Sequence, residues 1–230
     1  MQPSARTIGI VYLFYPLTAL LGAFLLRGVV VPANAAATAT NILAHENLYR
    51  AGLALDLVSN LVYLALTALF YEFFRPVNRS LSMIAAFCGL AGCTIQIMGD
   101  VLRIAPLVIL EQTHLAALYG PEQLHAVALL SLSLHTELLR ISYIVFAVFD
   151  LAIGYLIIRS PHVPSLLGWF MMVAGLAGLM LLWPRLAAPL YYVIVPLGAL
   201  AELMLLVWLI ARGGGVRPQA TALAGGFYEG

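Results

Sequence analysis

An all-α bundle of six membrane-spanning helices is the fold this sequence predicts, and three observations predict it. Of 230 residues, 63% are hydrophobic and 9% charged, against about 25% charged in a typical soluble domain. Six apolar runs approach or exceed the roughly 20 residues that a bilayer span needs. The ionisable residues inside those runs recur at helical spacings, so they share faces rather than scatter. Residues 1–212 are expected to form one six-helix membrane domain, with long outer extensions of spans three and four. Residues 213–230 are Gly-rich and aperiodic, as expected of a disordered cytoplasmic tail.

Composition also excludes function classes. The net charge is +1, so no basic field points to nucleic acid. All eleven cationic residues are Arg, which removes lysine Schiff-base chemistry. Cys88 and Cys93 lie five apart in one apolar run. On one helix they are about 7.5 Å apart along the axis, beyond comfortable disulfide reach, so both read as packing residues.

Span one covers residues 8–26. Its 19 apolar residues exceed the roughly 7–15 of a signal-peptide core, so it is read as a retained helix. Residues 31–47 form a small-residue loop with room for a short interfacial helix. Span two, 48–74, contains Asp56 and Asn60, and a tight connection at 75–79 follows. Span three starts near Ser80, includes Gln96, Asp100 and Arg103, and meets Pro106, which kinks a helix interior. Tyr119-Gly120 makes a turn, and Pro121 with Glu122 begins span four, with Pro at the first helical position and an acid in the first turn.

No breaker then occurs until Ser160-Pro161. A helix of that length, about 57 Å, exceeds the ~30 Å hydrocarbon core. The chain beyond Pro106 and before His135 is therefore expected outside the core, upright or in the interface. Span five is 164–183 and span six 189–210, with Glu202 near its middle. Gly198, Ala199 and Ala201 give span six a small-residue face, which is expected to pack closely and turn Glu202 inward.

Arginine placement sets the orientation. Arg6, Arg75, Arg79, Arg159, Arg212 and Arg217 fall on one side, and Arg27, Arg50 and Arg185 on the other. Six against three puts both termini in the cytoplasm. A weak repeat is also visible: YEFFR ending at Arg75 precedes GLAG at Gly89, and YLIIR ending at Arg159 precedes GLAG at Gly175. Spans two-three and four-five would be its parallel copies, an arrangement known from transporters.

Several blocks together resemble a known family. They are ARTIGIVY from Ala5, VPANAAAT from Val31 running into Asn41, RPVNR from Arg75, YGPEQL from Tyr119, GYLIIRS from Gly154, and Glu202 with Trp208. In order and spacing they resemble the bacterial membrane family described as domain of unknown function 4386. That resemblance implies a six-helix protein of the bacterial inner membrane and brings no activity, ligand or site residue with it.

The polar residues must therefore carry the chemistry. Gln96, Asp100 and Arg103 share one face at i, i+4, i+7; Asp56 and Asn60 are four apart; Glu137 and Arg140 are three apart, with His135 alongside. Counting from the inner span ends places Asp56, Asp100 and Glu137 at similar depth. One reading is a polar pocket in which Arg103 and Arg140 clamp a carboxylate or phosphate. The other is a set of structural ion pairs. Asp150 and Glu202 lie deeper with no Arg at their level, as neutral hydrogen-bonded acids or as proton exchangers, with Tyr15, Tyr63 and Tyr143 as candidate partners.

His114, Glu122, His125, His135 and Glu137 are concentrated in 24 residues but show no zinc spacing. No phosphate loop, nucleophile elbow or haem motif is present, so no metal and no cofactor is expected. The expected partners are the lipid bilayer and a small-molecule or ion ligand; no oligomeric state follows. Three function classes stay open: a protein that binds or translocates a small solute, with proton coupling as a variant; a structural or interaction protein; and a membrane-embedded enzyme.

Overall fold

The computed structural model describes residues 3–112 and 118–213. His114, Arg217 and the tail from 214 onward lie outside the described residues. Among those described the fold is all-α, and six helices are long and apolar enough to cross a membrane. Side chains such as Leu20 and Phe24, 70% and 69% exposed, would be costly in water and are at home against lipid.

Helix α1 is Ala5–Leu25, begun by Ser4, whose Oγ accepts from the Thr7 amide at 3.0 Å. The chain then turns through Gly28 and Ala33, both with positive φ, at 80° and 59°. Asn34 accepts from the Ala37 amide and starts α2, Ala35–Ala44, the short helix expected in this loop. The Thr38 hydroxyl and Val31 backbone exchange two hydrogen bonds, at 3.0 and 3.2 Å, which pin α2 back onto its own loop.

Helix α3 is Glu46–Phe74 and α4 is Arg79–Glu111, capped by Asn78 and continuing through Pro106. Helix α5, Pro121–Arg159, has the uninterrupted length expected, at 39 residues. Helix α6, Ser165–Leu179, ends in a tighter turn at Met180–Leu182. Between the expected spans five and six lies a short helix, α7, Pro184–Ala187, and a second tight turn, Ala188–Leu190. Helix α8 is Tyr191–Arg212. Pro189 lacks an N–H and sits in the tight turn before it.

The contacts divide the chain into two compact units. The first holds the described residues of 1–13, 63–90 and 143–230. Glycines set its helix approaches. A Cβ at Gly168 would lie 2.5 Å from the Gly154 carbonyl, and one at Gly154 would lie 2.7 Å from that of Gly168, so α5 and α6 touch backbone to backbone. Gly89 meets Thr67, and Gly175 meets Leu151 and the Ala147 carbonyl.

The second unit holds the described residues of 14–62 and 91–142. Its core is Leu26, Val29, Ile42, Tyr49, Leu53, Leu107 and Leu132. At its surface Arg50 joins Glu46 at 2.7 Å and Glu111 at 2.8 Å, tying the start of α3 to the end of α4. These side chains are 40–50% exposed, so solvent screens both pairs and they add little to stability.

Candidate functional site

In the second unit, α3 presents Tyr49, Asp56 and Asn60 at i, i+7 and i+11, close to one face. Asp56 Oδ2 accepts from Arg103 Nη1 of α4. Asn60 Nδ2 donates to Asp100 Oδ2 at 3.2 Å. The Tyr49 hydroxyl donates to the Arg103 carbonyl at 2.7 Å. That carbonyl is next to Leu102, whose own carbonyl lacks a helical donor because Pro106 has no N–H. Asp100 is 8% exposed, and it lies within electrostatic reach of both Asp56 and Arg103.

Two glycines admit the group. A Cβ at Gly22 of α1 would lie 2.8 Å from Asp56 Oδ1, so α1 closes over the carboxyl. A Cβ at Gly99 would lie 3.2 Å from His135 Nδ1, so the α5 imidazole rests on bare α4 backbone. Nδ1 is buried and makes no hydrogen bond of ordinary geometry, while Arg103 acts electrostatically on the ring.

The structure thus gathers Asp56, Asn60, Asp100, Arg103 and His135 from three helices. Gln96 is half-buried, one turn before Asp100. Glu137 and Arg140 pair with each other along α5, with Nε to Oε2 at 3.0 Å, and the Glu137 side chain is 57% exposed. Tyr49 was not among the expected residues, although its position two turns before Asp56 places it on the Asp56 side of α3.

The first unit holds Asp150 of α5 and Glu202 of α8, within electrostatic reach of each other. The Tyr63 hydroxyl of α3 donates to Glu202 Oε1 at 2.8 Å, and Tyr12 of α1 is a further hydrogen-bond partner. Tyr63 was an expected partner; Tyr12 was not. Asp150 Oδ1 is buried with no hydrogen-bond partner. Around them the rings of Tyr12, Tyr63, Phe70, Phe146 and Phe149 pack mostly edge to face, 5.0–6.4 Å between centroids.

The expected reason for the inward turn of Glu202 needs correction. A Cβ at Gly198 would meet nothing within 4 Å, and Ala199 is exposed, so neither lies on a close-packing face. The buried face of α8 is Ile194, Ala201, Leu205, Leu206 and Leu209. Small residues permit close approach without compelling it, and here aliphatic packing and the tyrosine bonds orient the carboxyl. Glu202→Gln keeps an acceptor for those hydroxyls and should fold as the parent does. Glu202→Leu should lose about 0.6 kcal/mol, up to ~1.7, as membrane helix–helix hydrogen bonds do. Reversible unfolding in micelles measures the difference.

Among the described residues no three His, Cys, Asp or Glu side chains stand where they could share a metal ion. Cys88 and Cys93 are both free thiols. Neither the curated proteins nor the solved structures contain a match to this chain. A family model does match, over residues 7–213, nearly the whole of the described chain. Six apolar helices and that match agree: the chain is a multi-pass integral membrane protein of the family described as domain of unknown function 4386 (DUF4386).

Proposed function

We propose that this protein binds, and in doing so helps translocate, a small polar solute at the Asp56–Asn60–Asp100–Arg103–His135 group. We place it in a bacterial inner membrane with both termini cytoplasmic, the orientation that the arginine count favours. Ionisable groups inside spans are costly and turn to the protein interior or to solute pathways. The observation that carries the reading is the buried Nδ1 of His135, which faces the Gly99 backbone within electrostatic reach of Arg103 and has no side-chain partner. A buried polar group left without a side-chain partner is costly in a network that only holds helices together. A solute with a donor or acceptor at Nδ1 completes it.

The completed pairs, Asp56 with Arg103 and Asn60 with Asp100, support a second reading in which the group only ties α3 to α4. Native mass spectrometry of protein released from its own membrane separates the two. Solute binding predicts a small molecule on the wild type that is lost from His135→Ala and Arg103→Gln. The structural reading predicts bare wild-type protein, and a charge swap between Asp56 and Arg103 that leaves host complementation intact. A cytoplasm-only fluorescent reporter fused after Arg212 tests the orientation; silence there would reverse it.

A further inference from the structure

The acids of the first unit share no residue with the solute group, and their chemistry does not depend on whether a solute binds there. Asp150 is 8% exposed, with one carboxyl oxygen lacking any hydrogen-bond partner. The groups acting on it are its apolar surroundings and Glu202. Glu202 takes hydrogen bonds from Tyr63 and Tyr12. Among the described residues neither carboxyl forms an ion pair with an arginine; the pairs formed are Arg50 with Glu46 and Glu111, Arg75 with Glu72, Arg103 with Asp56, and Arg140 with Glu137.

One ionised carboxyl within a bilayer span is costly, and two adjacent like charges oppose each other as well. The Tyr63 and Tyr12 hydroxyls bond Glu202, and the rings of Phe146 and Phe149 offer no donor. Among the described residues no arginine brings positive charge to the pair, and the vacant acceptor on Asp150 is where a cation can sit. We infer that Asp150 and Glu202 together form a binding centre for one small monovalent cation, H+ or Na+, seated on Asp150 Oδ1. As H+, binding forms one O–H bond with a proton from water, and release returns that proton to water. As Na+, it forms an ionic contact and breaks no covalent bond. From α3 and α1 the Tyr63 and Tyr12 hydroxyls face the pair, both on Glu202.

The test uses the full chain in lipid nanodiscs, in choline buffer of constant ionic strength. Infrared difference spectra are recorded from mildly acid to alkaline pH, with and without NaCl. The expected result is a protonated-carboxyl C=O band at neutral pH that is absent from the Asp150→Asn/Glu202→Gln double variant. Each single variant should shift or remove the band, so the result does not hinge on folding of the double variant. Tyr63→Phe should move the band without abolishing it. If NaCl leaves the wild-type band unchanged, the cation is H+. If NaCl bleaches it and raises wild-type Tm but not that of Asp150→Asn, the cation is Na+. A wild type with neither a protonated-carboxyl band nor any response to NaCl overturns the inference. So does a band that survives unchanged in the double variant.

Discussion

Arg103→Met will lower stability by about 3 kcal/mol, the low end of the cost of breaking a buried ion pair from one side, because the pair is partly buried. The paired side chains of Arg103 and Asp56 are 20% and 18% exposed, so little solvent reaches them. Methionine keeps the apolar stem and removes the charge. Asp56 is then left with Asp100, a second carboxyl within electrostatic reach, and with α1 closed over it at Gly22. The double variant Arg103→Met/Asp56→Leu will recover most of the loss, because replacing a whole buried pair by apolar groups is often neutral. Reversible unfolding in mixed micelles measures both. Equal losses in the single and double variants would mean that Asp56 is not stranded, and that solvent or another cation reaches it.

Gly168→Val will separate α5 from α6 at a cost of about 3 kcal/mol, the upper end of ordinary overpacking. The added Cβ would stand 2.5 Å from the Gly154 carbonyl oxygen and 3.0 Å from the Ile158 amide nitrogen. Both are backbone atoms, so no rotamer change relieves the clash. Gly154→Val meets the reciprocal obstacle at 2.7 Å and should cost a similar amount. Gly198→Val is the control: nothing lies within 4 Å of its Cβ, so its effect should stay within about 0.5 kcal/mol. A Gly168→Val protein as stable as Gly198→Val would show that the two helices can part without penalty.

Particular residues show how far the sequence could be read. The turn at Gly120-Pro121 and the unbroken run to Arg159 were legible because helix starts and breakers act locally. The partner of Arg103 was not. Spacing set Arg103 on one α4 face with Asp100, yet its guanidinium reaches Asp56 across to α3. Glu137 and Arg140, candidates for pairing across helices, pair along their own helix, where i, i+3 neighbours meet before any other helix is considered. Tyr12 and Tyr49 escape a reading by pattern because a tyrosine in an apolar run has the signature of a packing residue until its hydroxyl is seen to find a carboxyl or carbonyl.

By itself the sequence determined the all-α membrane class, the six spans, the family and the set of costly side chains within the spans. Class and spans follow from hydropathy and from backbone groups that lipid leaves unsolvated, which act on each segment separately; the family follows from the order and spacing of its sequence blocks. Tertiary structure alone decided which polar groups meet: Asp56 with Arg103, Asn60 with Asp100, His135 on the bare backbone of Gly99, and Glu202 with Tyr63. The physical reason is that helix rotation and register depend on how glycines and aliphatic side chains interlock between helices. Gly198 offered a close approach on α8 that packing never used, and Gly154 with Gly168 offered one that it did.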